Sequence, residues 1–216
     1  MGKLEQQLWK ACSKGRVEKA QKLLQSAKIN TNWQDPHFLR TPFFRACYQG
    51  QTEIVKLLLN DKRVDVNKVG IGRWTPLHTA CDRGHIDIVE LLLNDERVEI
   101  NKIDHDGDTA FFIACFRGHH LIVKYILACG RGVDLTIKDN EEKTAIDIAR
   151  EGEKTEQIRW KMKNIFNKEK KNYRNIVELL ESFEMNPHKT RETLRIQLGL
   201  AGIYHFSPLL FLLLFP

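Results

Sequence analysis

No stretch of this chain reads as a bilayer span. The apolar run 209–215 holds seven residues, against the roughly 20 that a helix needs to cross, and Pro208 stands just before it. A tail anchor is therefore not expected. The N-terminus carries no apolar segment, which argues against a secretory signal and makes a reducing compartment, cytoplasm or nucleus, the expectation. Gly2 invites a myristoylation reading, but that pattern wants Ser or Thr where Gln6 stands. Cysteine is scarce, five in 216 residues, and no two form Cys-x-x-Cys. The sets His78/Cys81/His85 and Cys115/His119/His120 each lack a fourth ligand, so no metal site is expected. Gly70-Ile71-Gly72 is a lone Gly-x-Gly without the strand before and helix after it that dinucleotide binding requires. No nucleophile–base arrangement recurs. Neither an enzyme nor a cofactor is expected.

What the chain has instead is a phrase that returns. Thr41-Pro42-Phe43-Phe44-Arg45-Ala46-Cys47 comes back as Thr75-Pro76-Leu77-His78-Thr79-Ala80-Cys81. It returns as Thr109-Ala110-Phe111-Phe112-Ile113-Ala114-Cys115 and weakens to Thr144-Ala145-Ile146-Asp147-Ile148-Ala149. The threonines are 34, 34 and 35 residues apart, a period that belongs to stacked repeats. A glycine follows each alanine by four positions (Gly15, Gly50, Gly84, Gly118), and then a second apolar run opens at Ile54, Ile88 or Ile122. Each unit thus reads as two short helices around a glycine turn. Threonine before proline supplies an N-cap and a first helical residue that needs no N–H. Turn-rich fingers such as Asp104-His105-Asp106-Gly107-Asp108 separate the units.

These units resemble ankyrin repeats, whose signature includes Thr-Pro-Leu-His-x-Ala. Thr75 to Ala80 matches it fully, whereas Phe44, Phe112 and Asp147 replace the histidine elsewhere. The resemblance spans roughly residues 4 to 184 and implies an all-α, helix-turn-helix solenoid of about five units with finger-like hairpin loops. It implies that His78 ties neighbouring repeats by hydrogen bonds and that the other junctions rely on apolar packing. The first unit, Leu8-Trp9-Lys10-Ala11-Cys12, lacks the Thr-Pro entry, and Lys19 and Lys22 replace Ile54 and Leu57 as a polar cap would. In the last unit the second helix, Ile176-Val177-Glu178-Leu179-Leu180, arrives 19 residues late.

Cys12, Cys47, Cys81 and Cys115 share one column. Equivalent positions in stacked helices lie about 8–10 Å apart, beyond the reach of about 7 Å between disulfide Cα atoms. Buried, unbridged thiols are expected there, with Cys129 the most accessible.

In ankyrin arrays the fingers and first helices line a concave face where another protein docks. The resemblance therefore implies a protein-binding adaptor or scaffold, without a small-molecule substrate and working as a monomer. Mapped onto this sequence, the partner-binding slots are Arg45 and Tyr48, then Ile71, Arg73 and Trp74, then Thr79, Asp82 and Arg83, and finally Ile113, Phe116 and Arg117. Trp33, His37, Phe38, Arg40 and His105 occupy further finger slots. Trp, Tyr and Arg are the side chains that dominate binding energy at interface centres; the alternative reading is that Trp33 and Trp74 only pack fingers together.

The delayed last helix makes an insertion, about 153–172. Between residues 153 and 174 eight Lys and Arg face three Glu, five of the chain's six net positive charges. Ile158, Met162, Ile165 and Phe166 fall on one helical face. Two readings stand: a lengthened repeat helix with solvated lysines, or a basic arm (153–174) that tethers nucleic acid or an anionic membrane. The array is expected to occupy 1–186. Residues 187–216 should form a short, loosely held helix and a hydrophobic tail.

Overall fold

The computed structural model describes the backbone of residues 2–162 and 167–200, with side chains described outside 156–171. Each repeat of the phrase folds as a helix pair: α1 (Lys3–Ser13) with α2 (Val17–Leu24), α3 (Pro42–Tyr48) with α4 (Thr52–Leu59), and α5 (Pro76–Arg83) with α6 (Ile86–Leu93). α7 (Ala110–Phe116) pairs with α8 (His120–Ala128), α9 (Ala145–Met162) with α10 (Asn167–Met185), and α11 (Pro187–Gln197) follows. The first helices pack in one inner row, α1 to α9, and the second helices in an outer row, α2 to α10. Among the described residues no strand forms, only an isolated bridge between Ile103 and Thr109. The expected all-α solenoid of five units is what the chain builds.

Local chemistry sets these elements. Thr41, Thr75 and Thr109 each accept the N–H of the third helical residue, at 3.0, 3.3 and 3.1 Å, satisfying a donor that the helix start leaves free. α5 ends at Gly84 with φ 72°, a left-handed turn that suits glycine. A Cβ there would lie 3.0 Å from the His119 ring of the next repeat, so the small residue also admits the neighbour. The Ala-Cys columns fill the interior: Ala46, Cys47, Ala80, Cys81, Ala114 and Cys115 are fully buried. All five cysteines are free. Burial pushes the Cys12 thiol up to about 12 and raises those of Cys47, Cys81 and Cys115 further.

Three repeated polar bridges tie the stack, each in a column one repeat long. Arg63, Arg97 and Arg131 reach back to carbonyls that end the preceding outer helix: Arg63 to Leu24 at 2.7 Å, Arg97 to Leu59 at 2.8 Å and Arg131 to Leu93 at 3.2 Å. A cation at these carbonyls also meets the negative end of the helix dipole. Asn32, Asn67 and Asn101 each accept from one backbone N–H of the next finger and donate to one of its carbonyls. Finger tips join directly, Ile71 N–H to Phe38 C=O at 3.1 Å, His105 to Gly72 at 2.8 Å and Asn140 to Asp106 at 2.9 Å.

His78 adds the tie that the resemblance implied. The Thr75 N–H can only donate, so His78 Nδ1 accepts from it at 3.2 Å. Nε2 therefore carries the proton and donates to the Asp108 carbonyl at 3.0 Å. Burial lowers the His78 pKa and favours the neutral ring. Phe44 and Phe112, which replace this histidine, are buried instead.

The ends differ from the middle. In α2 only Ala20 is fully buried, and Lys19 and Lys22 are exposed. The insertion lengthens both helices of the last pair, to 18 and 19 residues. Arg150–Glu181 at 2.9 Å and Arg174–Glu153 at 3.4 Å show that α9 and α10 run antiparallel. The expectation of a loosely held segment after Pro187 is corrected. Asn186 caps α11, which packs on α8 and α10 and buries Thr190 and Leu194. The tail 203–216 lies outside the described residues.

Candidate interaction surface

The first finger is built by Asp35. Its buried carboxylate accepts the backbone N–H groups of His37, Phe38 and Arg40, at 3.1, 2.9 and 2.9 Å. That turn presents Phe38 and Leu39, 53% and 46% exposed. Asp104 and Asp139 organise the third and fourth fingers in the same way. The second finger has no such aspartate. There the Gly70-Ile71-Gly72 segment makes the tip, with a single turn of 3-10 helix over Ile71–Arg73.

At the finger tips Leu39, Arg73 and Glu142 hold φ of 52°, 61° and 62°. Their counterpart in the third finger is Gly107, at 85°. The left-handed region costs a residue with a Cβ roughly 1–2 kcal/mol, so these side chains are kept against a backbone penalty.

Between the first finger and α5 lies a cluster around Tyr48. The guanidinium carbons of Arg40, Arg45 and Arg83 sit 4.6, 5.1 and 4.1 Å from the centre of its ring. Arg83 also donates to the Tyr48 hydroxyl. Arg40 lies 4.7 Å from the Phe38 ring, and Arg45 lies 5.1 Å from that of Trp9 and donates to Ser13 Oγ at 3.2 Å. Burial lowers the Arg40 pKa, opposed by the nearby Asp35 carboxylate and assisted by the Arg83 charge, and burial lowers that of Arg45, assisted by Arg40 and Arg83 and opposed by Asp35. Both stay cationic at neutral pH, because guanidinium is not deprotonated in proteins.

One repeat further on, Asp82 accepts from Arg117 through Nε and a terminal nitrogen, at 2.7 and 2.6 Å. Phe116, 48% exposed, lies beneath the same guanidinium. Ile71 is 58% exposed and Arg73 is exposed. Trp74 is half-buried, its ring 6.3 Å from that of His78.

Two sequence-derived slots are corrected. Thr79 and Ile113 are only 1% and 4% exposed and offer no contact to a partner. They share a column with Arg45, which faces the adjoining inner helix. A short side chain there is covered, whereas Arg45 is long enough to emerge beside Trp9. Sequence reading named Arg40 only as a finger slot and missed its place beside Tyr48. A spacing of one repeat plus one marks the contacts between inner helices, since Tyr48 to Arg83 and Asp82 to Arg117 are both 35 apart, but Arg40 reaches Tyr48 from its own unit and carries no such signal. For the basic insertion, Lys154 is exposed and Arg174 pairs with Glu153. The face of Ile158, Met162, Ile165 and Phe166 falls outside the described side chains.

Among the described residues no group of His, Cys, Asp and Glu could hold a metal ion, and no helix is long and apolar enough to cross a membrane. Comparison with curated proteins finds no match. A family profile for ankyrin repeats in three copies matches residues 8–104, and a profile for the single ankyrin repeat matches 106–140. Such repeats are generally protein–protein interaction modules and typically non-catalytic. With more than half of its length matched and five helix pairs stacked in register, the chain belongs to the ankyrin-repeat family.

Proposed function

We propose that this chain is a non-enzymatic adaptor that holds a partner protein against its inner helices and fingers, the concave face of the arrays it resembles. It works as a single chain in the cytoplasm or nucleus, without cofactor, metal or small-molecule substrate. One observation carries this reading. Leu39 and Arg73 keep exposed side chains at positive φ, where Gly107 occupies the equivalent place at no such cost. Backbone strain of this kind collects at functional surfaces. Phe38, Ile71 and Phe116 add exposed apolar area to the same face, and specific interfaces need about 800 Å² per partner.

The test is affinity capture by wild type and by an Ile71→Ala/Phe116→Ala variant. Both side chains are exposed, so the array should melt as the wild type does. The variant should lose the partners that the wild type recovers. Unchanged recovery at equal yield would assign binding elsewhere.

A further inference from the structure

Arg40, Arg45 and Arg83 crowd one tyrosine, three cations offset in part by the Asp35 carboxylate, which is itself taken up by the N–H groups of its own finger. Among the described residues no carboxylate lies within ion-pair distance of Arg40 or Arg45, and Arg83 has only Asp82, at 3.8 Å. That aspartate is already engaged by Arg117 at 2.6 Å. The distances to the Tyr48 ring place any two of the three guanidinium carbons less than about 10 Å apart, within the Debye length of roughly 10 Å at 0.1 M salt. Their positive fields therefore add. An open depression beside them is lined by Arg45, Tyr48, Gln49, Arg83 and His85.

From this geometry, and resting on the interaction role proposed above, we infer that the Arg40–Arg45–Arg83 cluster anchors an acidic segment of the partner protein. Phe38 and Leu39 of the adjoining finger cover an apolar side chain beside its carboxylates. Guanidinium forks match carboxylates in pairs. Stacking on Tyr48, Phe38 and Trp9 already restrains these arginines, so little rotamer freedom is lost on binding. Partial burial removes water that a bare surface cation would keep. Two cations lining a recess, Arg45 and Arg83, with Arg40 beside them on the same tyrosine, suit a short carboxylate-bearing segment. Nucleic acid, by contrast, presents a long phosphate track that rewards many spread contacts.

The experiment uses the full chain and fluorescence anisotropy. The probe is a short labelled peptide of Asp and Glu around one Phe, compared with its Asn/Gln counterpart and with phosphatidylserine/phosphatidylcholine vesicles. Arg40→Gln/Arg45→Gln/Arg83→Gln should weaken acidic-peptide binding on the order of tenfold to a hundredfold at low salt, because an exposed charge pair contributes little and a partly desolvated one more. Lys19→Gln/Lys22→Gln/Lys56→Gln removes equal charge from the outer helices and should leave binding within about twofold, the residue of long-range attraction. Should the triple variant fail to fold, Arg83→Gln alone, on a side chain 43% exposed, should still weaken binding severalfold.

Equal loss in the arginine and lysine variants overturns the inference, as does equal affinity for the Asn/Gln peptide. So does binding confined to the vesicles. The capture experiment separates the two claims. If Ile71→Ala/Phe116→Ala loses its partners while the arginine variant keeps them, the acidic anchor falls and the interaction face stands. If neither variant loses them, both fall.

Discussion

The Tyr173 hydroxyl donates to the Phe116 carbonyl at 2.7 Å. In the preceding repeats the same bond is made by His85 to the Tyr48 carbonyl, at 3.3 Å, and by His119 to the Asp82 carbonyl, at 3.2 Å. Tyr173 stands three residues before Ile176, as His85 stands before Ile88 and His119 before Ile122. The insertion thus ends where the repeat register resumes, and tyrosine takes the histidine's place. Gly152 makes room, since a Cβ there would lie 2.4 Å from the Tyr173 ring. Tyr173→Phe should cost about 0.5–1.5 kcal/mol, the net worth of one hydrogen bond. Tyr173→His should recover part of it. Urea unfolding of the three proteins measures both.

Thiol chemistry reads out the buried column. Cys129 is half-buried and its Sγ–H donates to the Ile126 carbonyl at 3.0 Å, whereas Cys12, Cys47, Cys81 and Cys115 are buried. Burial raises all five thiols above the ordinary range, so thiolate is scarce in each. Mass spectrometry after alkylation of the folded protein should find Cys129 modified first and slowly. The other four should react only after denaturant is added. Rapid labelling of Cys47 or Cys81 in the native state would contradict the packing.

Asp108 gives the third finger a pH dependence. Partial burial, with Asp104, Asp139, Asp106 and Glu141 nearby, pushes its carboxyl up to about 7. The folded state therefore holds this proton more tightly than the unfolded chain does. Its contribution is fully present below about pH 4, the unfolded carboxyl value, and is lost as pH rises through about 7. Asp108→Asn should raise stability by about 1 kcal/mol at pH 8, a figure reduced for the group's solvent exposure, and by much less at pH 5. Thermal melts across that range test the sign.

Leu39→Gly and Arg73→Gly should separate stability from binding. Each relieves a left-handed backbone worth roughly 1–2 kcal/mol but adds unfolded-chain entropy of about 0.5–1 kcal/mol. The melting temperature should stay level or rise slightly while partner binding falls. A drop in stability with binding intact would mean that these side chains pack the fingers.

The array was legible because its causes are local and repeated. The Thr caps, the Ala-Cys column and the glycine turn recur in one register, and each acts within its own unit or the next. What the sequence hid depends on side-chain length and on elements far apart. Thr79, Ile113 and Arg45 fill one column, yet only the long arginine reaches the surface. The docking of α11 on α8 and α10, which buries Leu194 and Thr190, joins helices from two repeats and leaves no periodic trace. The Arg63, Arg97 and Arg131 ladder was periodic in plain sight. Arginine near a helix end reads first as a solvated charge, until the carbonyls it holds are seen.

Photo-crosslinking tests the interaction face most directly. A benzoylphenylalanine replaces Ile71 in one protein and Lys56, on the outer helix α4, in another, and each is irradiated with the captured partner. The adduct should form from position 71 and not from position 56. Adducts from position 56 with none from position 71 would place the partner on the outer row and contradict the proposed role of the inner helices and fingers.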